Sequence, residues 1–159
     1  MPKRSDKITP IRKIMVPTDF SSRSDHVIQY AAMIAKIFKA RILLVHVIEP
    51  FTYSVNDMLN VLDHFTALKT IAQPLLDNAR KRLLKKALAV ETALLTGVPY
   101  REILQKSRRA RVDMIVMGTH GRTGVEHLLL GSVAEKVVRL AACPVLTVRS
   151  SLEVQRAKK

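Results

Sequence analysis

The chain has 159 residues, the size of one ordinary domain, and 48% of them are hydrophobic, enough for a packed core and too many for a disordered chain. Its formal net charge is +14, from 27 basic and 13 acidic residues, which raises the question of a polyanionic partner. A single cysteine, Cys143, excludes an internal disulfide, the charged N-terminus lacks the apolar stretch of a signal peptide, and no apolar run approaches the about 20 residues of a membrane helix. The expectation is a cytoplasmic protein with no transmembrane segment.

Short β-branched runs alternate with longer helical patterns, the signature of βαβ units and a parallel sheet. The first strand is Lys13 to Pro17, followed by the turn Thr18-Asp19-Phe20-Ser21-Ser22. A helix follows, with Val27, Ile28, Ala31, Ile34, Ala35 and Phe38 at i, i+3, i+4 spacing, capped by Ser21 or Ser22. The second strand, Arg41 to Val47, is apolar on both faces for much of its length, as a central strand under helices must be. Residues 56 to 88 read as helix, with Pro74 predicting a break or a fresh helical start. A third strand, Val90 to Leu95, leads through Gly97-Val98-Pro99 into a short helix, Tyr100 to Arg108. Met114 to Met117 is the fourth strand, Gly131 to Leu140 the last helix and Val145 to Val148 the fifth strand. Nothing divides the chain, so residues 1–159 read as one domain, with a core of about 11–150 and a tail at 151–159.

The basic residues are spread along the chain, with two clusters on or beside helices: Arg80 to Lys86 and Lys106 to Arg111. Solvated helix faces are the favoured reading, since four Phe, three Tyr and no Trp leave little for stacking nucleic-acid bases. A nucleic acid or an anionic membrane bound through these helices is the alternative.

Four of the five glycines, Gly118, Gly121, Gly124 and Gly131, fall within 14 residues, more than a four-residue turn requires. Glycine allows positive φ and close approach of the backbone to a ligand. The Gly131-Ser132 pair opens a helix, whose first N–H groups favour phosphate, and the Ser132 hydroxyl can add a hydrogen bond. The loop is neither a P-loop, for want of G-x-x-x-x-G-K-[ST], nor a dinucleotide fingerprint, for want of G-x-G-x-x-G. With a strand order of 3-2-1-4-5, which periodicity does not fix, the winding reverses between strands one and four. Ligands bind beyond the carboxyl ends of such strands.

The spacing reads G-x2-G-x9-G-[ST], from Gly118 through Gly121 to Gly131-Ser132. With it stand Ile14-Met15-Val16-Pro17-Thr18-Asp19-Phe20-Ser21, Leu43-Leu44-Val45-His46-Val47, Gly97-Val98-Pro99, Val112 to Gly121, and Ala142-Cys143-Pro144-Val145-Leu146-Thr147-Val148. In this order, over nearly the whole chain, they resemble the universal stress protein family in its ATP-binding subgroup. The resemblance implies an α/β fold: an open five-stranded parallel sheet, order 3-2-1-4-5, with helices on both faces, Rossmann-like and similar to the adenine nucleotide alpha hydrolases. It implies ATP as the ligand, and Mg²⁺ arrives with such phosphates. Pro17, Thr18 and Asp19 would line the adenosine pocket and Val47 would touch adenine through its backbone. Met117 and Gly118 would line the nucleotide, while Gly121, Gly131, Ser132 and Val133 would hold phosphates. Apart from the resemblance, Arg122 is a candidate phosphate contact, an exposed loop arginine being the plainer reading. The resemblance also implies a homodimer paired through the last strand, Val145 to Val148.

Other residues have plainer readings. Asp19 alone could cap the first helix. His46 reads as a packing residue, Leu128-Leu129-Leu130 as packing of the loop onto the sheet, and Cys143 as a small apolar group. His120 reads as a surface residue and Gly124 as part turn, part ligand loop. Asp19 and Glu126 are candidates to hold water or Mg²⁺. No metal-ligand spacing, nucleophile elbow or carboxylate pair stands out, so the expectation is a regulatory nucleotide-binding protein in the stress response, not a dedicated enzyme, with ATP hydrolysis slow or absent.

Overall fold

The computed structural model describes residues 10–50, 58–119 and 130–149. In chain order the elements are β1 (Lys13–Pro17), α1 (Ser22–Phe38), β2 (Arg41–Ile48), α2 (Met58–Leu84), β3 (Val90–Thr96), α3 (Pro99–Arg109), β4 (Met114–Gly118), α4 (Ser132–Leu140) and β5 (Val145–Val148). The strands form one parallel sheet in the order β3-β2-β1-β4-β5, as the family resemblance implies.

Alternation along the strands divides the core between the two faces of this sheet. In β1, Ile14 and Val16 join Ile42 and Leu44 of β2 beneath Val27, Ala31 and Ala35 of α1 and Leu76, Ala79 and Leu83 of α2. Met15, Leu43, Val45 and Ile115 point the other way, beneath Ile103 and Leu104 of α3 and Ala134 and Val137 of α4. The central strands are therefore apolar on both faces because both faces are covered. Each fully buried aliphatic side chain contributes about 1.5–3 kcal/mol of transfer free energy.

Ser21 is the cap of α1. Its backbone is extended, with φ −72° and ψ 161°, and its Oγ accepts the Ser24 N–H at 3.2 Å. Pro74 corrects an expectation: α2 runs through it as one helix. A proline inside a helix costs about 3 kcal/mol or more through the lost hydrogen bond and ring clash. Here Ala72 lies before it and Leu76, Ala79 and Leu83 after it, all buried, so packing on the sheet holds both halves on one line. The predicted start of this helix at Asn56 and the tail 151–159 lie outside the described residues.

Gly97 explains the turn between β3 and α3. Its φ is +139°, and a Cβ there would lie 2.7 Å from Glu102 Oε1 in the first turn of α3. Its N–H donates to the Ile48 carbonyl at 3.0 Å, so the turn is tied to the end of β2. Pro99 then begins α3, where a missing N–H costs nothing.

Candidate functional site

The strand order reverses at β1, whose neighbours are β2 on one side and β4 on the other. Crossovers leave the two strands in opposite directions there, so their carboxyl ends cannot be roofed by one connection. A cavity of about 460 Å³ opens at that place.

Its β1 wall is the Pro17-Thr18-Asp19 turn, which is held from several sides. The Thr18 N–H donates to the Val45 carbonyl at 2.8 Å, extending the β1–β2 pairing by one residue. Asp19 Oδ1 accepts the Ser21 N–H at 3.0 Å, the Ser21 hydroxyl at 2.6 Å and the Ser24 hydroxyl. Asp19 is thus not the cap residue of α1. It is the acceptor that orients the cap, Ser21, and it faces the cavity from that position.

Phe20 follows in the left-handed region, φ 61°, which is costly for a bulky L-residue. Its ring packs on the His46 imidazole with centroids 4.3 Å apart. The His46 Nδ1–H donates to the Thr18 carbonyl at 2.7 Å. His46, expected only to pack, therefore lines the cavity and fastens the β1 turn to β2. Val47, Glu49 and the buried Val45 extend this wall, and Pro99 and Ile103 of α3 add an apolar side.

The opposite wall is β4 and the start of α4. Met117, Gly118 and Thr119 line it, and the Gly131 N–H donates to the Thr119 carbonyl at 2.7 Å. Gly131 is the residue before α4 and has no side-chain cap to offer. The first helical bond of α4 runs from the Glu135 N–H to the Gly131 carbonyl at 2.9 Å. The N–H groups of Ser132, Val133 and Ala134 therefore have no helical acceptor, and all three residues line the cavity. The positive end of the helix dipole faces the same space. Gly131 has φ −68°, and the left-handed backbone anticipated for the loop glycines occurs at neither Gly118 nor Gly131. What Gly131 supplies is the missing side chain.

On the outer side, Tyr100 ties α3 to α4. The Lys136 ammonium sits 4.6 Å from its ring centroid, and Arg101 Nε donates to its hydroxyl at 3.0 Å. The Arg101 hydrogen bond first, and then the positive charges of Arg101 and Lys136, hold the phenol below its ordinary pKa.

Of the residues singled out in the sequence, Pro17, Thr18, Asp19, Val47, Met117, Gly118, Gly131, Ser132 and Val133 come together around this one cavity. Gly121, Arg122, Gly124, His120, Glu126, Leu128 and Leu129 lie outside the described residues. Leu130 packs against the α3–α4 side of the core. Ser24, His46, Glu49, Pro99, Ile103, Thr119 and Ala134 also line the cavity and were not anticipated there. Ser24 and Thr119 had a signal in hand, being neighbours of Asp19 and Gly118, whereas Pro99 and Ile103 reach the site only through packing of α3. Among the described residues no group of three or more His, Cys, Asp or Glu side chains could hold a metal ion, and no helix is long and apolar enough to cross a membrane.

A doubly wound α/β sheet with an open crevice at its switch point, walled by a polar turn and an uncapped helix start, defines a ligand-binding protein of the Rossmann-like class. The model of the Universal stress protein family matches residues 10–149. The chain belongs to that family. A universal stress protein of Methanocaldococcus jannaschii is 37% identical over 141 residues, 87% of this chain and 82% of the relative. The solved structure of a universal stress protein from Lactobacillus plantarum superposes with TM-score 0.82 at 22% identity, over 89% of this chain and 99% of that one. Another, the universal stress protein from Archaeoglobus fulgidus in complex with dAMP, superposes with TM-score 0.62 at 23% identity, over 87% of this chain and 98% of the other.

Proposed function

We propose that this chain is a cytoplasmic, ATP-binding regulator of the stress response that works as a homodimer and hydrolyses ATP slowly or not at all. The observation that carries the reading is the pairing of two unlike walls in one cavity: an apolar side made by Val45, Val47, Pro99, Ile103 and Met117, and the uncapped N–H groups of Ser132, Val133 and Ala134. The first suits an adenine ring and the second a phosphate. A cavity of about 460 Å³ lies within the usual range for a ligand of that size. The dAMP held by the Archaeoglobus fulgidus structure is an adenine nucleotide as well.

In this reading Asp19, with Pro17 and Thr18, meets the ribose or adenine, Val47 meets adenine through its backbone, and Met117 and Gly118 line the nucleotide. Gly131, Ser132 and Val133 hold phosphates, joined by Gly121 and Arg122. Mg²⁺ arrives with the phosphates and keeps most of its waters. Slow turnover is supported by the state of Asp19: its Oδ1 takes three hydrogen bonds from Ser21 and Ser24, which suits a positioning acceptor better than a base. The dimer is supported by the place of β5, which pairs with β4 at the end of the sheet order and exposes Leu146.

The test is extraction of ligand from the purified, denatured protein, with the released nucleotide run against ATP, ADP and AMP, followed by sedimentation with and without ATP. Near-stoichiometric ATP in a dimer is expected. Absence of bound nucleotide, together with no ATP binding in the presence of Mg²⁺, overturns the ligand. A monomer at tens of micromolar, on the order of ordinary dimer affinities, overturns the assembly.

A further inference from the structure

The net charge of +14 is unexplained by the nucleotide pocket, and the structure separates its two helix-borne clusters. Three members of the α2 cluster, Arg80, Arg82 and Lys86, are used within the fold. Arg82 pairs with Asp25 of α1 at 2.8 Å, Lys86 donates to Gln29, and Arg80 Nε donates to the Val90 carbonyl at 3.3 Å. The cluster at the end of α3 is different: Lys106, Arg108 and Arg109 take part in none of the ion pairs among the described residues.

The end of α3 adjoins the pole of the sheet opposite the nucleotide pocket, where β2, β1 and β4 begin side by side about 4.8 Å apart. Lys13 is in register with Arg41, and the Asp113 N–H donates to the Lys13 carbonyl at 2.9 Å. Arg12, Lys13, Arg41 and Arg111 thereby rim one open depression. Like charges in register on neighbouring strands repel. Glu91 bridges one such pair, Lys13 and Arg41, at 3.4 Å to each. Asp113 Oδ2 accepts the Arg12 and Lys13 backbone N–H groups, each at 2.9 Å. The carboxylates at this pole are thus engaged in the fold, while Arg12 and Arg111 stand exposed beside the last turn of α3.

We propose that this row of cations is a docking surface for the phosphate backbone of a nucleic-acid duplex, bound by charge without base readout. Arg12, Lys13, Arg41 and Arg111 gather positive charge on one open pole, which suits the phosphate backbone, bound through charge irrespective of sequence. Among the described residues, none that lines the depression is aromatic, which disfavours single strands, whose affinity comes from stacking. Nor, among the described residues, is any that lines it a large apolar side chain, which disfavours a membrane surface, where charge acts together with apolar insertion.

The experiment is fluorescence anisotropy of a short labelled DNA duplex titrated with the full chain at several salt concentrations. The pole variant Arg12→Glu/Arg108→Glu/Arg111→Glu is compared with a charge-matched variant of exposed cations away from this pole, Lys69→Glu/Arg101→Glu/Arg149→Glu. Loss of about tenfold or more in the pole variant is expected, with the salt slope falling by about one unit for each phosphate contact removed. The charge-matched variant should stay within about twofold, because its side chains lie off the contacted face. Thermal melts and ATP titration of both variants show whether fold and pocket are intact. Should the triple pole variant not fold, the milder Arg108→Ala/Arg111→Ala takes its place, with a loss of about threefold expected. Absence of duplex binding, or equal losses in the two variants, overturns the proposal. So does pole-dependent binding to phosphatidylserine vesicles by a chain that ignores the duplex, which would make the row a membrane surface.

Discussion

The backbone N–H of Gly131 donates to the carbonyl of Thr119 at 2.7 Å. Thr119 directly follows β4 and Gly131 directly precedes α4, so a single hydrogen bond fixes the carboxyl end of a central strand against the positive end of a helix. The Thr119 N–H in turn donates to the Val148 carbonyl at 3.2 Å, which links the same corner to β5. A ligand phosphate at α4 and the edge strand proposed for dimerisation are therefore two bonds apart. In the proposed dimer this is a physical route from nucleotide occupancy to the edge strand.

That corner makes Gly131→Val informative. The backbone at Gly131, φ −68° and ψ 157°, is extended, and valine adopts it without strain. The variant keeps its N–H and its bond to Thr119, so stability should change by less than about 1 kcal/mol. ATP affinity should fall by more than about 100-fold, because a branched Cβ stands where the phosphate must approach the backbone. Calorimetric titration beside a thermal melt reads both; undiminished affinity in a folded variant contradicts the steric argument.

Asp19→Ala should weaken nucleotide binding by about 1–3 kcal/mol, the cost of losing a charged acceptor at a partly buried site. It also removes the acceptor of the Ser21 N–H, so some loss of fold stability accompanies it. Ser24→Ala is the control: it takes one donor from the same Oδ1 and the acceptor of the Asp19 N–H, and leaves the carboxylate in place. Asp19→Ala should therefore cost more affinity than Ser24→Ala. Equal losses would mean that Asp19 acts only by holding the turn.

Much of this arrangement was legible in the sequence, because strand patterning and glycine spacing are local signals. The alternation of Ile14, Met15 and Val16 marks a two-sided core strand, and the Gly118 to Ser132 spacing marks the loop ends that meet across the Thr119–Gly131 bond. What stayed hidden depends on residues far apart in the chain. The continuity of α2 through Pro74 comes from Leu76 and Leu83 packing on the sheet, which overrides a local breaker. The pocket role of His46 arises from a bond to Thr18, 28 residues earlier, and the Phe20 φ of 61° has no signature in residue type. Likewise, the two basic clusters look alike as sequence, and only the positions of Asp25, Gln29 and Val90 show that three cations of one of them are engaged in the fold.

Gly97→Ala should destabilise the protein by about 1–3 kcal/mol, since φ +139° is nearly closed to residues with a Cβ. The added methyl also meets Glu102 Oε1, which can move. The double variant Gly97→Ala/Glu102→Ala separates the effects: it relieves the contact and keeps the backbone strain, so most of the loss should remain. Urea denaturation of the three proteins provides the comparison. Full recovery in the double variant would locate the cost in the contact.

Cys143 offers a prediction about pH. Burial, and then the negative charge of Asp113, push its thiol above the ordinary pKa. A raised pKa in the folded state means the folded chain holds this proton more tightly than the unfolded chain does. The group therefore favours folding fully below the unfolded thiol's pKa and loses that contribution as pH rises through the folded value. Only the thiolate reacts with iodoacetamide, so at mildly alkaline pH the native protein should be alkylated more slowly than the urea-unfolded chain. Its rate should also reach half-maximum at a higher pH. Asp113→Asn should move that midpoint downward, though by less than unfolding does, since burial is the larger cause. A native midpoint at or below the unfolded one would show that Cys143 sits in an activating environment, and would reopen a redox role for it.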